Sequence, residues 1–171
     1  MKNRMKVFTK SLMLLFISTF TLSSQVTDFQ KGLEAFNSKN YERALNYLKP
    51  YADDSSNCLA QYIVGYCFAD SNTQSSNDSL AEYYLLQPSE QKYGRAMGLL
   101  AVKYFAKAST DTNSIINALV WAELAAYYDP IQSLNSSRYL IREYLSPESI
   151  EKAEAIIRKK KKILDEIDIC M

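Results

Sequence analysis

The sequence predicts an all-α fold, a solenoid of antiparallel helix pairs, and three observations carry that expectation. Chain breakers are scarce. Four glycines and four prolines in 171 residues, with an apolar fraction of 47%, are the composition of a helical protein of one domain. Two stretches also repeat each other at an offset of 36: Ala60, Val64, Gly65 and Phe68 recur as Ala96, Leu100, Ala101 and Tyr104. These positions fall at i, i+4, i+5 and i+8, one stripe of a helix, where small residues admit a neighbouring helix beside an aromatic knob. Upstream, Gly32, Ala35 and Phe36, the polar pair Lys39-Asn40, then Tyr41, Ala44, Leu45 and Leu48 read as helix, tight turn, helix.

The first 24 residues stand outside that fold. Lys2, Arg4, Lys6 and Lys10 precede a charge-free, mostly apolar run over 11–22, followed by Ser23 and Ser24. This is the layout of a secretory signal peptide, and its apolar core is well short of the roughly 20 residues of a spanning helix. Cleavage near Ser24 is expected to leave 25–168 as one exported domain, periplasmic or secreted, with no stable membrane insertion. Helical hairpins are expected at about 28–53, 57–87 and 92–128, and a capping pair at 132–166. The second hairpin is cut short by Pro88 and matches less well. In the third, the amphipathic run over 118–126 holds Trp121 in the interior.

The last helix has its own start signal: Ser146 as N-cap, Pro147 at the first helical position, and Glu148, Glu151 and Glu154 toward the positive end of the dipole. Ile150, Ala153, Ile156 and Ile157 form a stripe that covers the end of the stack. Beyond them the stripe is expected to fail, because positions 158–162 are five consecutive cations that encircle the helix. These are expected to be solvated and paired along the helix, Glu154 with Arg158, and Lys161 and Lys162 with Asp165 and Glu166.

The segment AQYIVGYCF at 60–68 resembles the first-helix signature of the Sel-one-like repeat family, a branch of the tetratricopeptide-like solenoids, and ALVWAELAA at 118–126 is similar to its second. KGLEAFNSKNYERALNYLKPYA at 31–52 resembles the entry hairpin of such proteins, and 137–150 the capping pair of short exported members. The resemblance implies a right-handed α-solenoid. The chain departs from the family in its loops, since 70–77 and 108–113 lack the glycines usual between the two helices of a repeat.

Composition excludes much chemistry. The chain has no histidine, which removes the Ser-His-Asp and Cys-His arrangements and every histidine-containing zinc site. The acids Asp53-Asp54, and Asp165, Glu166 and Asp168, lie at a helix end and in the tail, not in the apolar pocket that a general acid needs. Glu123 fits the outer face of an amphipathic helix. Gly94 to Gly98 lacks the strand and the Lys-Ser/Thr pair of a phosphate loop. Loss of the leader removes four of the 20 cations and no acid, leaving 16 against 19, a balance unsuited to nucleic acid. No cofactor or metal is expected.

Three cysteines, Cys58, Cys67 and Cys170, make an odd set. On one helix, Cys58 and Cys67 would stand about 13.5 Å apart along the axis, too far to bridge. They are expected to be small buried residues. Cys170 is expected to be a terminal thiol, with pairing to another chain or to one of the other two left open.

What remains is surface. In solenoids of helical hairpins the first helices line a concave groove that recognises peptides or partner domains. If the phase follows Gly65 and Ala101, the groove residues are Tyr62, Tyr66 and Ala69 in one pair and Gly98, Val102 and Phe105 in the next. Phe29, Leu33 and Phe36 take the same places around Gly32. Thirteen tyrosines suit such a surface, since each offers a large contact area with a polar tip. The expectation is a monomeric, non-catalytic scaffold for a protein or peptide partner. The alternative is an envelope enzyme, or a subunit of one, acting on cell-wall material.

Overall fold

A computed structural model of the chain describes residues 28–54, 57–109, 111–129 and 132–167. The leader, Cys170 and Asp168 therefore lie outside the described residues. The described residues contain eight helices and no strand: α1 over 28–37, α2 Tyr41–Ala52, α3 Cys58–Ala69, α4 Asp78–Ser89, α5 Gly94–Ala106, α6 Thr112–Tyr128, α7 Gln132–Glu143 and α8 Pro147–Asp165. None of them is long and apolar enough to cross a membrane. The all-α expectation holds.

The chain divides into two compact units, 1–48 and 49–171. In the first, α1 runs into a tight turn at Lys39, whose φ of 58° is left-handed. The Asn40 N–H donates to the Ala35 carbonyl at 2.9 Å, closing the end of α1 in the way usually reserved for glycine. Ala35, Ala44, Leu45 and Leu48 are buried.

In the second unit each helix packs on its neighbours: α3 on α4 and α5, α4 on α5, α5 on α6, and α6 on both α7 and α8. The helix starts are capped by short polar side chains. Asn57 accepts from the Ala60 N–H, Asn77 from those of Ser79 and Leu80, and Asp111 from those of Asn113 and Ser114. Each satisfies donors that a helix leaves open at its first turn. Ser146 accepts from the Ser149 N–H at 3.2 Å with Pro147 at the first helical position, as the sequence predicts. The proline in α4 sits in its last turn and the helix ends one residue later, at Ser89. The Tyr93 N–H then donates to the Pro88 carbonyl at 2.9 Å, across Lys92 at φ 64°.

The core runs through α4 to α8. Leu85, Met97, Leu100, Leu119, Trp121, Leu124 and Ile157 are among its buried members. The stripe positions Ala60, Val64, Gly65 and Phe68 of α3 are buried, as are Ala96, Leu100 and Ala101 of α5. At Gly65 the backbones come close: an added Cβ would stand 2.7 Å from Leu85 Cγ, so only glycine lets α4 lie against α3 there. Gly94 is tighter still, with Asp129 Cβ 2.1 Å from the position of a Cβ.

Three expectations are corrected by the packing. The α8 stripe does not fail at the basic run: Ala153, Ile157 and Leu164 are buried, and the gap is filled by Lys160, whose ammonium stands 4.6 Å from the centre of the Trp121 ring. Ile156, assigned to that stripe, is exposed. Lys161 stands 3.7 Å from the centre of the Tyr127 ring, so two of the five cations dock α8 on α6 through ring faces. The carboxylates reach across helices as well: Glu154 pairs with Arg142, and Asp165 accepts from the Tyr128 hydroxyl at 2.8 Å.

Glu123 is the second correction. Its side chain is 17% exposed and lies between Arg138 (3.3 Å) and Arg142 (2.9 Å) of α7. It holds α7 on α6 and does not face open solvent. The third concerns Cys58, which is disulfide-bonded, although it is buried as expected. Cys67 is a buried thiol, so the two do not bridge each other.

Candidate binding site

Helix α5 turns Ala96, Met97, Leu100 and Ala101 into the core. Val102 and Phe105, three residues apart and so on one side of the helix, fall beyond that face and are exposed. Helix α7 makes the same division. Ile141 is buried, whereas Leu140 and Tyr144, the residue just past the helix end, are 59% and 69% exposed. The two helices bring these groups to one place. A cavity of about 130 Å³ is lined by Ala101, Val102 and Phe105 of α5 and by Ser137, Leu140 and Ile141 of α7.

Phe105 also lines a larger cavity of about 560 Å³, together with the apolar Ile115, Tyr144 and Leu145 and the polar Ser146 and Ser149. The Phe105 and Tyr144 rings meet edge to face with centres 5.7 Å apart, a favoured aromatic geometry. The two serines belong to the α8 start, where the Ser146 hydroxyl donates to Ser149 Oγ at 3.1 Å. Val102, Phe105, Leu140 and Tyr144 thus form an exposed apolar strip beside two openings, an arrangement suited to receiving apolar side chains.

The other expected contact residues lie elsewhere. Tyr62 and Tyr66 are half-buried on α3, with ring centres 6.4 Å apart, and Tyr62 packs on Tyr93 at 5.6 Å. Burial pushes the Tyr62 hydroxyl above its ordinary pKa. Gly98 is buried and Ala69 half-buried. Phe29, Leu33 and Phe36 are half-buried on α1 in the first unit, where Phe36 packs against Tyr41 at 5.9 Å. The α7 contribution is what sequence reasoning missed. Its signal was present, because Leu140 and Ile141, with Tyr144 just past the helix end, give a polar helix more apolar groups than one buried position uses.

Several of the described acids serve as anchors. Asp53 accepts from the Tyr84 hydroxyl at 2.6 Å and pairs with Lys49 at 2.9 Å. These contacts hold its carboxyl below the usual range, the opposite of what a general acid needs. Asp78, in the first turn of α4, receives Lys103 of α5 and Lys107 just past the end of α5, and its carboxyl is likewise lowered by those two ammonium groups. Tyr104 donates to Glu82. Its hydroxyl pKa is raised first by burial and then by that hydrogen bond. Among the described residues no group of three Cys, Asp or Glu side chains is placed to hold a metal ion. In comparison with known proteins, the chain matches no protein-family model, no curated protein and no solved structure.

Proposed function

We propose that this chain is an exported, non-catalytic helical scaffold, a solenoid of Sel-one-like helix pairs, that binds a protein or peptide partner between α5 and α7. The observation that carries the reading is the exposed strip of Val102, Phe105, Leu140 and Tyr144 beside two cavities. Two of these residues, Val102 and Phe105, are ones that the helix phase assigns to the groove. The solenoid is supported by the equivalence of α3 and α5. They begin 36 residues apart, at Cys58 and Gly94, and bury the matching small and aliphatic positions. Export is supported by the disulfide at Cys58, since such bonds persist in oxidising compartments.

The test is selection of peptides from a random display library on the full mature chain, followed by titration of a labelled winner. Phe105→Ala together with Tyr144→Ala should weaken binding at least tenfold, as loss of central aromatic contacts typically does. Tyr83→Ala, at an exposed tyrosine of α4, should leave it unchanged. Circular dichroism and thermal melting establish that both variants are folded. Full binding by the folded Phe105/Tyr144 variant would move the site away from α5 and α7.

A further inference from the structure

Helix α8 closes the array with one side only. Ala153, Ile157 and Leu164 are buried, and Lys160 and Lys161 lie against the Trp121 and Tyr127 rings of α6. The other cations of the run, Arg158, Lys159 and Lys162, are exposed. The acids expected to neutralise the run are engaged elsewhere: Glu154 pairs with Arg142, and Asp165 accepts from the Tyr128 hydroxyl. Glu148 pairs with Lys152 at 2.8 Å, and the exposed Glu151 and Glu166 stand toward the two ends of the helix. Among the described residues, Arg158, Lys159 and Lys162 make no ion pair. At 3.6 residues per turn these three cover an arc of about 100°, so their charges diverge and do not converge on one small anion. They suit an extended negative surface.

Apolar groups share this uncovered side. Ile156 and Ile163 are exposed. Seven residues apart, they stand on the same side of α8 about 10 Å from each other along the axis, with Lys159 between them. Ile167, two residues past the end of α8, is exposed as well. Charge alone would serve an acidic polymer equally, and the isoleucines decide between the two, because they call for an apolar phase lying just behind the anionic groups. A bilayer interface provides both at neighbouring depths.

We propose that the outer side of α8 docks the chain on a bilayer containing anionic lipid. Arg158, Lys159 and Lys162 meet the headgroup phosphates, and Ile156 and Ile163 enter the boundary between headgroups and acyl chains. The helix lies along the membrane and does not cross it, in keeping with the absence of a spanning helix among the described residues. Lys160 and Lys161 meanwhile hold α8 to α6, so docking leaves the fold unchanged. The cations and isoleucines used are distinct from the strip between α5 and α7, and the inference does not depend on the partner proposed there.

The test is co-sedimentation of the mature chain with vesicles of phosphatidylcholine alone and of an equal mixture of phosphatidylcholine and phosphatidylglycerol. Binding to the mixed vesicles is expected, weakening as salt is raised, with none to phosphatidylcholine alone. Replacing all three cations, Arg158→Gln, Lys159→Gln and Lys162→Gln, should weaken partitioning about a hundredfold. Ile156→Ser together with Ile163→Ser should weaken it about five- to tenfold. All these positions are exposed, and circular dichroism and melting establish that the variants keep the wild-type fold. No binding to the mixed vesicles, equal binding to both kinds, or full binding by the folded triple variant would overturn the proposal. An isoleucine variant that binds like wild type would overturn it too, and displacement of the wild-type chain by soluble polyglutamate would then identify an acidic protein as the occupant.

Discussion

Helices α6 and α7 are neighbours held in place by different physics. Helix α6 is apolar nearly all round: Ile115, Ile116, Leu119, Val120, Trp121 and Leu124 are buried together with Ala118, Ala122, Ala125 and Ala126. A helix of that kind belongs inside a core. Of the α7 side chains from position 137 on, Ile141 is buried, and the helix is fixed to α6 by Arg138 and Arg142 on Glu123. Arg142 continues to Glu154 of α8 at 3.3 Å. Charge thus holds the end of the array where apolar area holds its middle. With α7 anchored by its arginines, Leu140 and, just past the helix end, Tyr144 are left uncovered.

The contrast can be broken most severely at its apolar pole. Trp121→Ala removes a ring that is 4% exposed and also frees Lys160 from its ring contact. The expected loss is about 3–5 kcal/mol, a large share of the stability of a domain this size, read as a drop in the urea midpoint. An unchanged midpoint would mean that α6 is not the apolar centre.

At the charged pole the expected effect is smaller. Glu123→Gln keeps the shape and leaves two arginines without their shared carboxylate, one of them with a buried Nε that already has no hydrogen-bond partner. Full burial would make such a loss about 3–5 kcal/mol, and the partial exposure of these groups reduces it to about 1–3 kcal/mol. Hydrogen exchange should place the loss in α7, whose amides would lose protection while those of α3 and α4 keep theirs. Uniform loss across the helices would show that α7 is not a separately held element.

The smallest expected effect separates two lysines of one run. Lys161→Ala should cost about 1 kcal/mol for its contact with Tyr127, while Lys159→Ala, at an exposed position, should stay within about 0.5 kcal/mol of wild type. Equal midpoints for the two variants would return the basic run to a solvated surface.

The same contrast explains what was legible in the sequence. Where apolar periodicity specifies the structure, reading it succeeds: the stripe at Ala60, Val64, Gly65 and Phe68, the interior Trp121 and the Ser146-Pro147 start all stand where the pattern puts them. Where a polar group does the packing, periodicity is blind. Lys160 continues the α8 stripe through a ring face, Lys103 is buried against Asp78, and Glu123 anchors α7, yet each scores as surface in a hydropathy pattern. For the candidate site, helix phase located Val102 and Phe105 but not their α7 counterparts. Those are apolar groups beyond the one that the core uses, and their pairing with α5 is a tertiary fact. The disulfide at Cys58 was hidden for a related reason, since spacing excludes a Cys58 to Cys67 bond and hydropathy carries no information on pairing.

The central claim is that the uncovered face between α5 and α7 receives the partner while α3 and α4 serve as body. Amide hydrogen exchange of the mature chain, free and saturated with a selected peptide, tests it most directly. Added protection should fall in the last turn of α5 and over 137–145, with α3 and α4 unchanged. Protection gained instead on α3 around Tyr62 and Tyr66, with α7 unaltered, would contradict the claim.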